Sequence, residues 1–253
     1  MRLQALPFHM NRIAIVAALE REILPLVRHW RVCEREYAGH RFRFFESEHA
    51  VLVCGGIGAN AARRATEAVI AAYAPKIVYS AGFAGALNQE LKIGDVIVPR
   101  RVINVRDGSS IDTGMGEGVL VTFASIASPG QKMKLAQSFG GRAVDMEAAA
   151  VASGAQARGV RFAAVKAVSD ESDFKLAAME QFITPDGSFR TQKFAWFVAV
   201  RPWLWGTAIR LARNSARASR ALCNRLEQMI ESEVQANHAA VNSTASLETF
   251  KTR

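Results

Sequence analysis

The chain has 253 residues, half of them hydrophobic and 22% charged, which is enough to bury a full core in one large α/β domain or two small ones. Its net charge is +9, but six arginines and no acid fall within 201–225, and without that stretch about +3 remains, an ordinary value for a soluble domain. The local basicity argues against a nucleic-acid partner, and no run reaches the ~18 uninterrupted apolar residues of a membrane span.

The cysteines (Cys33, Cys54, Cys223) are odd in number and far apart. The histidines form no ligand-spaced cluster. A disulfide framework and a metal site are therefore not expected, and a reducing cytoplasm is. Residues 1–10 read as an N-terminal extension without the apolar core of a signal peptide.

In chain order, 11–18 (NRIAIVAA) is a short Ile/Val run, read as a buried strand. Leu19-Glu20-Arg21-Glu22 opens a helix with acids in its first turn, where the helix dipole favours them. Residues 41–46 and 50–54 are read as strands. Gly55-Gly56-Ile57-Gly58 is read as a tight loop before an Ala-rich helix over about 60–73. A strand over 76–80 is followed by a second glycine turn, Ala81-Gly82-Phe83-Ala84-Gly85, and 95–99 is another strand.

Residues 107–118, rich in Gly, Ser and Asp, read as a loop. Then follow a strand over 119–123, a helix over 131–138, a strand over 142–146 that runs into a helix over 147–157, and an apolar strand over 160–168 ending in Ser169-Asp170. Alternating strands and helices predict a single three-layer αβα domain over 11–232, with a central mixed, largely parallel sheet. Such folds bind ligands beyond the carboxyl ends of strands, and Glu22, Glu147 and Asp170 gather at those ends. The polar, aperiodic segment 235–253 reads as a disordered tail.

Five ordered segments stand out: AALEREI (17–23), GGIGAN (55–60), SAGFAGAL (80–87), AVDMEAAAV (143–151) and AVKAVSDESD (164–173). Together they resemble the nucleoside phosphorylase and methylthioadenosine/adenosylhomocysteine nucleosidase superfamily over about residues 11–175. The resemblance implies cleavage of the N-glycosidic bond of a purine nucleoside, a homo-oligomer, and no cofactor, with phosphate as the one co-substrate it allows.

The chemistry explains the residue types. Bond cleavage leaves a cationic sugar and an electron-rich base. Asp170 matches the family's acid that protonates the departing purine, and a partly desolvated carboxyl can hold a proton near neutrality. Read alone, Asp170 is a helix N-cap; within the full pattern the acid role is preferred. Glu147 matches the glutamate that grips the ribose hydroxyls, since a carboxylate accepts two hydrogen bonds at once. Met146 matches the methionine packed against the sugar, and Glu22 the acid that orients or deprotonates water. Read alone, these three are a helix-start acid, a core methionine and a solvated glutamate.

Ala84, Gly85 and Ile126 are the remaining substrate-binding candidates; backbone near Ile126 and Ala127 would read adenine. Lys166 stands where relatives place an arginine near the nucleophile, keeping the charge without the bidentate fork. The chain departs from the family at Phe83, where nucleosidases have serine. It departs again at Ser80, near which phosphate-using members carry an arginine; Arg21 or Lys166 would have to replace that cation.

From Trp203 the sequence returns to helical spacing over about 203–230. Leu204, Ala208, Leu211, Ser215, Ala218 and Leu222 form an apolar-to-small stripe, and Arg210, Arg213, Arg217 and Arg220 lie opposite. A basic amphipathic helix preceded by tryptophan fits peripheral contact with an anionic membrane; a terminal helix packed on the domain with solvated arginines is the preferred plain reading.

GFAGAL, VDMEAAAV, the RPWLW-like start and the LARNSxRAxRAL pattern resemble the hopanoid-associated phosphorylases. That resemblance implies removal of adenine from adenosylhopane, whose 5′ substituent is a very large hydrocarbon. Phe174 and Phe182 are candidates for the 5′ pocket, with core packing as their plain reading. The sequence leaves two other classes to compare. A dinucleotide-binding oxidoreductase would need an acid about 20 residues beyond the glycine loop, and the sequence there is Ile-Val-Tyr-Ser. A non-catalytic nucleoside binder would explain Phe83 and Lys166 but not an intact Glu22, Glu147 and Asp170.

Overall fold

β-branched side chains suit a pleated surface covered on both faces, and the Val/Ile runs of this chain form the centre of such a sheet. The computed structural model describes residues 13–174, 177–184 and 186–251; the N-terminal extension 1–10 lies outside them. In chain order the elements are β1 (Ile13–Ala17), α1 (Glu20–Val27), β2 (Arg31–Tyr37), β3 (His40–Glu46), β4 (Ala50–Cys54), α2 (Ala59–Tyr73), β5 (Ile77–Ala86), β6 (Val96–Ile97), β7 (Arg101–Asn104), β8 (Ser110–Asp112) and β9 (Val119–Thr122). Then come α3 (Pro129–Phe139), β10 (Ala143–Asp145), α4 (Ala148–Gln156), β11 (Arg161–Asp170), α5 (Thr191–Ala199) and α6 (Trp205–Lys251), with 3-10 turns at Ala177–Phe182 and Pro202–Leu204.

Among the described residues the eleven strands form one mixed sheet in the order β2-β3-β4-β1-β5-β10-β9-β7-β8, with β11 and β6 on a branch from β5. Period-2 alternation divides the core between two layers. Ala14, Val16, Val51, Val53 and Val78 face α2 and α4. Ile13, Ile15, Leu52, Ile77 and Tyr79 face α1 and the middle of α6, where Ala218, Leu222 and Leu226 are buried. The three-layer αβα architecture follows.

Several local readings differ from the structure. Within 107–118, read as a loop, Ser110–Asp112 forms β8 by pairing antiparallel with β7. β2, with the sequence RVCEREY, carries no apolar strand pattern; it pairs with β3 alone at the sheet edge, where polar side chains are tolerated on both faces. Residues 81–85 are not a turn, because β5 runs straight through them. Their glycines serve close approach instead: a Cβ on Gly82 would lie 2.9 Å from Glu22 Oε2, and one on Gly85 would lie 2.7 Å from Asp170 Oδ2. The segment 235–253 reads as a disordered tail, and its described residues, to Lys251, form the end of α6. Once a helix is nucleated, each further residue adds a hydrogen bond, and the alanines of this segment favour its propagation.

Candidate active site

β5 has different neighbours along one edge. Its Ile77–Ser80 portion pairs in parallel with β1, and Gly85 and Ala86 pair antiparallel with β10. β11 follows the opposite edge from Ile77 to Gly85, with an irregularity between Val168 and Asp170. Where β1 has ended and β10 has not begun, a cavity of about 160 Å³ opens, room for on the order of ten waters. Glu22, Glu147 and Asp170 all line it, together with Met146, Ala84, Gly85 and Ile126. Three acids from α1, from the start of α4 and from the end of β11 thus meet in one place, although 148 positions separate the first from the last.

Each acid has its own setting. Glu22 is 6% exposed, and its Oε2 has no hydrogen-bond partner among the described residues. Burial and then the charge of Glu147 push its carboxyl up to about 7. Glu147 accepts a hydrogen bond from the Gly58 N–H at 2.8 Å and another from the Met146 N–H at 3.3 Å. Gly58 caps α2 with φ +94°, so the glycine loop aims the positive end of α2 at Glu147. Burial, followed by the Asp145 charge, nonetheless raises the Glu147 carboxyl above the usual range. Two N–H contacts leave its oxygens with acceptor capacity for hydroxyl groups. Asp170 is 5% exposed, accepts from Ser169 Oγ at 2.8 Å and forms an ion pair with Lys132.

Lys166, read as a substrate-binding residue, is not itself in the cavity lining among the described residues; its ammonium lies 2.9 Å from Oδ2 of Asp145, which is part of that lining. Burial opposes the Lys166 charge, but Asp145 and then Glu147 outweigh it, so its pKa lies above the ordinary lysine value. Asp145 also accepts from Thr122 Oγ1 at 2.7 Å and from the Ala148 N–H at 2.8 Å. It thereby holds the start of α4, and with it Met146 and Glu147, in place.

Sequence reasoning missed Lys132, Asp145 and Phe189. Phe189 lines the cavity with Phe83, Ile183 and Met179. Phe174 and Phe182 do not: the Arg210 guanidinium stacks 4.6 Å from the Phe174 ring, and Phe182 packs with Phe189, Phe194 and Phe197. A signal for Lys132 was present, because a cation near the start of a helix opposes the dipole and needs a reason to be there.

Residues 12–130 and 115–193 match the Phosphorylase superfamily. The chain belongs to that family. It is an enzyme of the nucleoside phosphorylase/nucleosidase class, which cleaves N-glycosidic bonds. It is 29% identical over 210 residues to the 5′-methylthioadenosine/S-adenosylhomocysteine nucleosidase of Staphylococcus epidermidis, covering 68% of this chain and 92% of that one. With the enzyme of the same name from Actinobacillus succinogenes it shares 28% identity over 53% of this chain and 73% of that one. The match to the Marinomonas enzyme spans only 42% of that relative. Futalosine hydrolase of Helicobacter pylori shares the fold at a TM-score of 0.66 and 19% identity, covering 88% of this chain and 98% of that one. A Neisseria meningitidis nucleosidase complexed with methylthio-immucillin-A does so at 0.66 and 20%, covering 88% and 100%.

Proposed function

We propose that this enzyme releases adenine from an adenosine carrying a large apolar 5′ substituent, adenosylhopane, with water as the nucleophile. The convergence of Glu22, Glu147 and Asp170 on one cavity carries this reading. Glu147 binds the ribose hydroxyls, Met146 packs against the sugar, and Glu22 takes a proton from water as its oxygen attacks the anomeric carbon. Asp170 protonates the purine as it leaves with the electron pair of the broken bond. Relatives bearing the name methylthioadenosine/adenosylhomocysteine nucleosidase support an adenosine with a modified 5′ position. Water is favoured over phosphate because, among the described residues, the cations of the cavity lining are Arg21 and Lys132, the second already paired, while Glu22 presents an oxygen without a hydrogen-bond partner among them that would repel a dianion.

In phosphate-free buffer the enzyme is expected to release free adenine from 5′-alkyl- or 5′-alkylthioadenosines, measured by chromatography. Glu22 must be ionised to accept a proton. With its carboxyl at about 7, kcat is expected to fall roughly tenfold per pH unit below that point. Turnover that requires added phosphate would rule out the nucleophile, and absence of base release from every adenosine would rule out the substrate class.

The proposal includes peripheral contact with an anionic membrane through the basic helical end of the chain. Support comes from Trp196, Trp203, Trp205 and Ile209, each more than half exposed, beside Lys193, Arg210 and Arg213. Beyond Ala218 the apolar stripe of α6 is buried against the domain, so the surface that remains free is α5 and the start of α6. Replacing the three tryptophans with alanine is expected to weaken sedimentation with phosphatidylglycerol vesicles by more than about tenfold. Unchanged co-sedimentation would remove this part of the reading.

A further inference from the structure

Lys132 is 2% exposed, although lysine is among the residues least often fully buried. It sits in the first turns of α3, a helix held by a capping box in which Ser128 and Gln131 bond each other's backbone N–H, and where a positive charge opposes the dipole. Its ammonium makes an ion pair with Asp170 Oδ2 and donates to the Glu171 carbonyl at 2.6 Å. The fold makes room for this pair. A Cβ on Gly85 would lie 2.7 Å from Asp170 Oδ2 and 3.1 Å from both Cε and Nζ of Lys132. Lys132 also lines the cavity, so the pair stands at the substrate's edge rather than deep in the core.

In an ion pair between a carboxylate and an ammonium the acid proton sits on nitrogen. The pair as a whole carries one transferable proton. We propose that Lys132 is a positioning residue that loads Asp170 with the proton it delivers, acting on the reaction only through Asp170. This rests on the reading of Asp170 as the acid of base release. As the glycosidic bond breaks, its electron pair stays with the purine. The purine takes a proton from Asp170, and Asp170 takes one from Lys132, which is left as a neutral amine. After the base departs, Lys132 recovers a proton from solvent, and the proton that water gave to Glu22 returns there. Among the described residues the other titratable groups facing the cavity are Arg21 and Glu22 of α1, Asp145 of β10 and Glu147 before α4; none of these contacts Lys132 by a hydrogen bond or ion pair.

The test is the pH profile of kcat and KM, from pH 5 to 9, for whichever 5′-substituted adenosine the wild-type enzyme cleaves fastest. In Lys132→Met, Asp170 must collect its proton from solvent, which grows harder as pH rises. The ratio of wild-type to variant kcat is therefore expected to grow about tenfold per pH unit between pH 6 and 8, with KM little changed. A uniform loss across the range would show a structural brace and overturn the inference. Should Lys132→Met fail to fold, Lys132→Arg decides. A guanidinium keeps the charge but does not release its proton, so kcat is expected to fall at least tenfold at every pH; wild-type kcat would overturn the inference. Failure of the wild-type enzyme to cleave any adenosine would instead sink the reading beneath it.

Discussion

Replacing Asp170 with asparagine is expected to lower kcat for adenine release by about 10²–10⁴-fold while leaving KM within a few-fold, the range set by loss of a positioned general acid. Asparagine keeps the shape and can still accept the Ser169 hydroxyl hydrogen bond, which is 2.8 Å long in the structure. It cannot pass a proton to the departing base. It also leaves the Lys132 ammonium without a counter-charge, so the melting temperature should be recorded beside the kinetics. Adding Lys132→Met to Asp170→Asn is expected to cost little further activity, because two residues that act through one proton are not additive. Turnover within tenfold of wild type at pH 7 would mean that another group protonates the purine and would remove Asp170 from the chemistry.

Lys166→Met is expected to be the most destabilising single change near the site. Lys166 is 1% exposed and Asp145 is fully buried at its side chain, so removing the lysine leaves a carboxylate in the core with only the Thr122 hydroxyl and the Ala148 N–H as partners. Breaking a buried pair in this way costs about 3–5 kcal/mol. In a chain of this size that corresponds to a fall in Tm of roughly 10 °C. The remaining charge also lies beside Glu147, whose carboxyl Asp145 already pushes upward. Adding Asp145→Asn to Lys166→Met is expected to recover part of the loss, since no lone charge then remains. A melting temperature within 2 °C of wild type, read by calorimetry, would show that solvent or Glu147 compensates Asp145 and that the pair does not hold the site together.

The two lysines show what a linear reading leaves open. Lys166 reads as a substrate residue from its place in AVKAVSDESD, which lies on β11. In the fold its ammonium pairs with Asp145, a residue of the cavity lining. Lys132 drew no attention, yet it lines the cavity and pairs with the candidate acid. An acid and a lysine 38 positions apart carry no mutual signal along the chain; the pair exists because α3 and the end of β11 are brought together by β10 and β5. Gly82 and Gly85 mislead in a related way, since a glycine signals a turn or a close approach equally well.

Periodicity and composition by themselves determined the three-layer α/β architecture, because strand alternation and the two-sided burial of the Val/Ile runs are local properties of the chain. The resemblance carried by the ordered motifs also implied Glu22, Met146, Glu147 and Asp170, and the three acids among them fall at strand ends, where such folds place their ligands. Only the tertiary structure decided which charges are neutralised and which face the cavity. Electrostatic partnership depends on distances of a few ångströms between side chains remote in sequence, and burial sets how much each such contact counts.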